Sequence, residues 1–115
     1  MEPILRGEIY YADLDDTLGS EQAGQRPVLI LQADSLNQNS PTTVVAPITS
    51  IIKYPFMQSH CILPINCPLR ERSMVLTEQV RVIDRQRLGA YVGRLQTAVM
   101  RDVEQALCFS LGLIS

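Results

Sequence analysis

Apolar and polar positions alternate loosely at the start of the chain, run together in its middle, and take a helical period only near its end. GEIYYADL at 7–14 mixes aromatic and aliphatic strand formers with partial alternation, which predicts a first strand. PVLILQA at 27–33 is an unbroken apolar run and predicts a buried second strand. TVVAPI at 43–48 predicts a third, with Pro47 marking it as irregular or at an edge by that point. SHCILPI at 59–65 predicts a fourth, and SMVLTEQVRVI at 73–83 one or two more with a bend near Glu78. DRQRL at 84–88 reads as a short helical turn capped by Asp84. The strongest helix is TAVMRDVEQALCFSL at 97–111. Thr97 is its expected N-cap, Val99, Val103, Ala106, Leu107 and Leu111 form its apolar stripe, and Gly112 is the expected stop.

Short strands followed by a terminal helix predict a mainly β, α+β fold: a small barrel or sandwich with helical additions. NQNSP at 37–41 and NCPLRER are turn clusters. No repeat, low-complexity tract or linker divides the chain, so residues 1–115 are expected to form one domain. Two loops are long, 15–26 and 49–57, and long loops on a small domain are where function tends to sit. Both end against strands, so they can converge at one rim.

Charge is unevenly placed along the chain. Residues 1–34 carry Arg6 and Arg26 against seven acids, whereas residues 70–101 carry seven arginines against three acids. Nine of the ten basic residues are arginine, the side chain that forks onto carboxylates and phosphates. The overall charge of −2 argues against indiscriminate adhesion to nucleic acid but permits a local basic groove. Cys61, Cys67 and Cys108 form no CxxC pair, which argues against a disulfide framework and against a zinc site. Cys61 and Cys108 lie in apolar runs and read as buried thiols. The segment MEPILRGEIYYAD lacks a signal-peptide pattern, and no apolar run is long enough to span a bilayer. A cytoplasmic protein without membrane contact is the expectation.

The chemistry is bounded by what is missing. His60 is the only histidine, so one chain cannot build a paired-histidine mechanism, and it reads as a strand residue with a satisfied hydrogen bond. There is no GxSxG, Walker loop, GxGxxG or HExxH. Asp13, Asp15 and Asp16 lack a calcium-loop pattern and read as a turn. Neither metal nor cofactor is expected. What remains is Glu21, Arg26, Thr49, Ser50, Glu78, Gln79 and Arg81 on loops and strand ends. Such a set suits phosphate chemistry, in which an arginine fork and a hydroxyl meet charge developing on phosphate oxygens. A carboxylate can then take a proton or hold the arginine in place. The competing reading of Glu21 and Arg26 is an exposed ion pair that ties down a loop.

One stretch decides between these readings. GSEQAGQRP at 19–27 hangs a hydroxyl, a carboxylate and an arginine on a glycine-hinged loop. Together with RGEIYYADLD, SPTTVVAPITS at 40–50, SMVLTEQVRVID at 73–84, RL at 87–88 and the final AL and SLGLI, it resembles the MazF/PemK family of toxin endoribonucleases, from Arg6 to Ile114. The resemblance implies a small SH3-like β-barrel with a C-terminal helix, assembled as a homodimer. It implies metal-independent cleavage of single-stranded RNA, usually mRNA, at a short sequence, leaving a 2′,3′-cyclic phosphate and a 5′-hydroxyl. It also implies neutralisation by a cognate antitoxin. By position, Arg26 matches the family's catalytic arginine, Thr49 its partner threonine and Glu21 its loop carboxylate. Ser20, Gln22, Ser50, Gln79 and Arg81 fall in segments that bind substrate. Phe56 offers either a stacking face for a base or packing against the barrel. Two departures are small: Val82 stands where threonine is common, and Ala23 replaces a frequent glycine. Two rivals share the shape: a CcdB-like gyrase poison, which does not need the Glu21–Arg26–Thr49 set, and an SH3-like peptide-binding module.

Overall fold

Seven strands carry the molecule in the computed structural model, which describes residues 3–115. They are β1 (Glu8–Asp13), β2 (Gln25–Ile30), β3 (Thr42–Thr49), β4 (His60–Ile62), β5 (Met74–Leu76), β6 (Arg81–Asp84) and β7 (Leu88–Arg94). Every pairing is antiparallel, in the order β4-β5-β3-β2-β1-β7, with β6 also on β3.

Side chains alternate across a strand, and here both faces are covered. Ile9, Leu29, Ala46 and Ile48 face one cluster, which the C-terminal helix α2 (Thr97–Ser110) closes with Met100, Val103 and Ala106. Ala12, Val28, Ile30 and Val45 face the other, closed by Ile4, Leu14 and Ile83. This is why PVLIL reads as an unbroken apolar run.

The α+β class holds, but the sheet is open: no ladder joins β4 to β7 among the described residues. The gap is closed by packing instead. Pro68, in the loop between β4 and β5, sits so close to Gly93 of β7 that a Cβ there would lie 2.5 Å from its ring.

Pro47 is not at an edge. It is buried within β3, opposite Val28 of β2. On its other side, β6 pairs only as far as Val45 and β5 begins only at Ile48. The residue without an N–H therefore stands where the partner strand has broken into the 3₁₀ turn Thr77–Gln79. That turn is the bend expected near Glu78.

The ends of the helices differ from expectation in detail. A short helix α1 (Asp34–Asn37) precedes the turn at 38–41. Thr97 is the first residue of α2 rather than its cap; Gln96 holds the cap position and makes no side-chain capping bond. Met100 takes the buried place expected of Leu111, which lies past the last turn and is 55% exposed. Gly112 does stop the helix: at φ 74° it lets Leu113 N–H bond Cys108 O and its own N–H bond Phe109 O. Asp84 caps the 3₁₀ turn Arg85–Arg87 through Gln86 N–H at 2.8 Å. All three cysteines are free; Cys61 is buried, but Cys108 is only partly so, because it lies toward the edge of the stripe.

Candidate active site

The β2–β3 register places the two central candidates. Val28 pairs with Pro47, and the same register carried on two residues sets Arg26 across from Thr49. Arg26 is the second residue of β2, where the first long loop ends, and Thr49 is the last of β3, where the second begins.

Their donors are free for use. Arg26 spends only Nε, donating to Ala23 O at 2.6 Å, so its two terminal nitrogens have no partner among the described residues. Thr49 is 5% exposed, and its Oγ1 accepts from Ile51 N–H at 3.1 Å. With that lone pair engaged, the hydroxyl proton remains available to donate.

The loop before β2 is held in shape by its own polar groups. Leu14 N–H bonds Gly24 O, and Glu21 N–H bonds Leu18 O. Gly19 and Gly24 have φ of 57° and 79°, a region costly for other residues. Glu21 does not pair with Arg26. Its Oε2 accepts from Leu18 N–H at 2.9 Å, so the ion pair of the competing reading is absent and a turn closure stands in its place. Gln79 fastens the loop from across the sheet: its Oε1 accepts from Gln22 N–H at 2.8 Å, and its Nε2 donates to Ser20 O at 3.4 Å.

Asp16 ties the base of the same loop to the arginine-rich half of the chain. It accepts from Arg81 at 3.2 Å and from Arg87 at 2.9 Å. Desolvation opposes ionisation of Asp16, but the two guanidinium groups outweigh it and hold its carboxyl below the ordinary value. Asp15 shifts the other way, raised by the neighbouring charge of Asp13, and its N–H closes a turn onto Asp13 Oδ1 at 2.9 Å. No group of three or more His, Cys, Asp or Glu side chains among the described residues could hold a metal ion.

Most of the other candidates fall into two grooves; Arg26 lines one of them, and buried Thr49 lines neither. One, of about 420 Å³, is lined by Glu21, Gln22, Gln79 and Arg81. Thr17 Oγ1 and Gln22 Oε1 are buried there without a hydrogen-bond partner. The other, of about 500 Å³, is lined by Arg26 and Ser50 with Tyr11, Arg70, Glu71 and Ser73. Ser20 touches the first groove only through Gln79. Phe56 lines neither and is 95% exposed, so packing against the sheet is the wrong reading of its ring. Tyr11, Arg70 and Glu71 were not foreseen; the arginine excess after residue 70 was the only signal toward them. His60 has the satisfied contacts expected of it: Glu78 Oε2 at 2.7 Å and Tyr54 O at 2.9 Å.

Residues 5–111 match the family described as the PemK-like, MazF-like toxin of type II toxin–antitoxin systems. The chain is 43% identical over 112 residues to the endoribonuclease EndoA of Bacillus subtilis (strain 168), covering 96% of this chain and 97% of that one. It is also similar to the crystal structure of MazF from Deinococcus radiodurans, with a TM-score of 0.83, 27% identity and coverage of 97% and 99%. An endoribonuclease solved in complex with its cognate antitoxin, from a mycobacterial species, matches with a TM-score of 0.81, 25% identity and coverage of 97% and 98%.

Proposed function

Because the chain belongs to the PemK-like, MazF-like toxin family of type II toxin–antitoxin systems, we propose that it is an endoribonuclease that cuts single-stranded RNA, mRNA above all, at a short sequence and without a metal ion. The observation that carries this reading is the pair of unspent donors on neighbouring strand ends, Arg26 Nη and Thr49 Oγ1.

In the proposed reaction a ribose 2′-oxygen attacks the adjacent phosphorus and the bond to the 5′-oxygen breaks. The products are a 2′,3′-cyclic phosphate and a 5′-hydroxyl. Negative charge grows on the non-bridging oxygens in the transition state. Arg26 meets it with a two-pronged donor and Thr49 with its hydroxyl, both fixed before substrate arrives. Glu21, already fixed by Leu18 N–H, is a carboxylate at the groove wall for proton transfer or substrate contact. Ser20, Gln22, Ser50, Gln79, Arg81 and the exposed ring of Phe56 hold the strand to either side.

The protein acts as a homodimer, and a cognate antitoxin blocks it by covering the same grooves. The chain as a whole functions as one toxin domain.

The test is cleavage of a long single-stranded RNA in excess chelator, beside Arg26→Ala, with every new 5′ end mapped. Discrete cuts at one shared short sequence, with 5′-hydroxyl ends and absent from the variant, are expected. Intact RNA with folded, antitoxin-free protein would refute the reading and turn attention to gyrase.

A further inference from the structure

The groove beside Arg26 has a second wall, built by the loop between β4 and β5. That loop is firmly placed. Cys67 and Leu69 pack against the core, and buried Ser73 donates its hydroxyl to Glu71 O at 2.8 Å. Pro68 lies on Gly93, where any side chain would collide with it. The absence of a Cβ at residue 93 thus sets how closely the loop approaches β7 and how wide the groove is.

This wall presents Arg70 and Glu71 at the rim, both exposed. Neither forms an ion pair among the described residues. Pro27 and Val92 lie at the base of the groove over the buried Ile48, with Tyr11 43% exposed at its side. Apolar groups at the base, an exposed tyrosine and two unspent opposite charges at the rim suit a planar ring with polar edges.

We propose that this groove is a nucleobase subsite beside the scissile phosphate, in which Tyr11 stacks on a base bearing an exocyclic amino group and Glu71 and Arg70 read its edge. The inference rests on the ribonuclease reading. An ionised carboxylate only accepts hydrogen bonds, so Glu71 needs a donor, and an exocyclic amino group offers one at the outer edge of the base, not enclosed between two carbonyl oxygens. Arg70 donates to the ring nitrogen or carbonyl next to it. Uracil is disfavoured, because its one N–H is flanked by two carbonyl oxygens that the carboxylate repels.

The experiment maps all 5′ ends on one long RNA for the parent, Glu71→Ala, Arg70→Ala and Gly93→Ala. Removal of Glu71 is expected to redistribute the cuts. Uracil at one position flanking the cut becomes about tenfold better tolerated relative to the preferred base. Gly93→Ala, which displaces Pro68, shifts preference at that same position. An unchanged cut sequence in both Glu71→Ala and Arg70→Ala, with a parent that cuts and an Arg26→Ala that does not, overturns the subsite alone. A parent that leaves the RNA intact overturns the ribonuclease reading and the subsite with it.

Discussion

His60 on β4 and Glu78 in the 3₁₀ turn, 18 residues apart, meet through a 2.7 Å contact from Nε2 to Oε2. The other ring nitrogen faces Tyr54 O at 2.9 Å, and the histidine side chain is 6% exposed. One ring therefore fastens the loop after β3 to the turn that carries Gln79. His60→Ala removes both contacts and is expected to cost about 1–3 kcal/mol of unfolding free energy. Urea denaturation with an unchanged slope measures it; a loss too small to resolve would show the ring to be a passenger.

At Thr49 the hydroxyl and the side-chain shape can be separated. Thr49→Val keeps the volume and loses the donor; Thr49→Ser keeps the donor. We expect cleavage by the valine variant to fall by about a hundredfold or more while the serine variant keeps much of its rate. Single-turnover cleavage of a short RNA distinguishes them, and equal rates would remove Thr49 from the chemistry.

Gly112 holds a backbone geometry that other residues adopt at a cost, and nothing lies within 4 Å of where its Cβ would be. Gly112→Ala should therefore destabilise through backbone strain alone, by about 1 kcal/mol. Thermal unfolding reads the loss directly, and an unshifted midpoint would mean that the helix end frays without consequence.

Asp16 predicts a pH dependence with a definite sign. Its folded-state carboxyl titrates below the ordinary 3.8, so its stabilising link to Arg81 and Arg87 is fully present above that value and lost as pH falls below it. Neutral and mildly acidic solutions should leave the loop tether unchanged. Carboxyl-carbon NMR should find Asp16 titrating below 3.8 in the parent and moving upward in Arg87→Ala.

Burial pushes the Cys61 thiol up to about 11, with the charge of Asp102 adding to the effect. Little thiolate forms near neutral pH, so Cys61 should resist iodoacetamide in the folded protein and react once it is unfolded. Mass spectrometry of timed samples locates the modified cysteine; rapid labelling of Cys61 in the native state would contradict its burial.

Much of this molecule was legible because local pattern and tertiary demand agree. PVLIL is apolar at every position because the sheet is covered on both faces. The bend at Glu78 was visible because the apolar period breaks there. β7 was not foreseen, since LGAYVGR carries two glycines and weak alternation, and it is a strand because β1 supplies its ladder. The Arg26–Thr49 pair was reached by motif, yet what joins the two is the β2–β3 register, which no single segment states. Glu21 shows the limit most clearly. Sequence put an acid near an arginine, but a backbone N–H three residues away is the partner it takes. His60 with Glu78, and Arg70 with Glu71 at the groove, depend on loops whose paths only the packed core determines.

The ladder between β1 and β7 runs from Glu8 to Arg94, and Arg6 reaches Glu104 at 2.7 Å across 98 positions. This ties early residues to ones made almost last. Contacts of such long range close slowly, because the intervening chain must give up its freedom before any ladder bond repays it. During synthesis β1 waits with one edge bare until residue 94 has emerged, while β2, which carries Arg26, hangs on that half-finished sheet. A working groove is therefore among the last things the ribosome delivers, and a chain cut short before β7 would offer an open strand edge for aggregation in place of a nuclease.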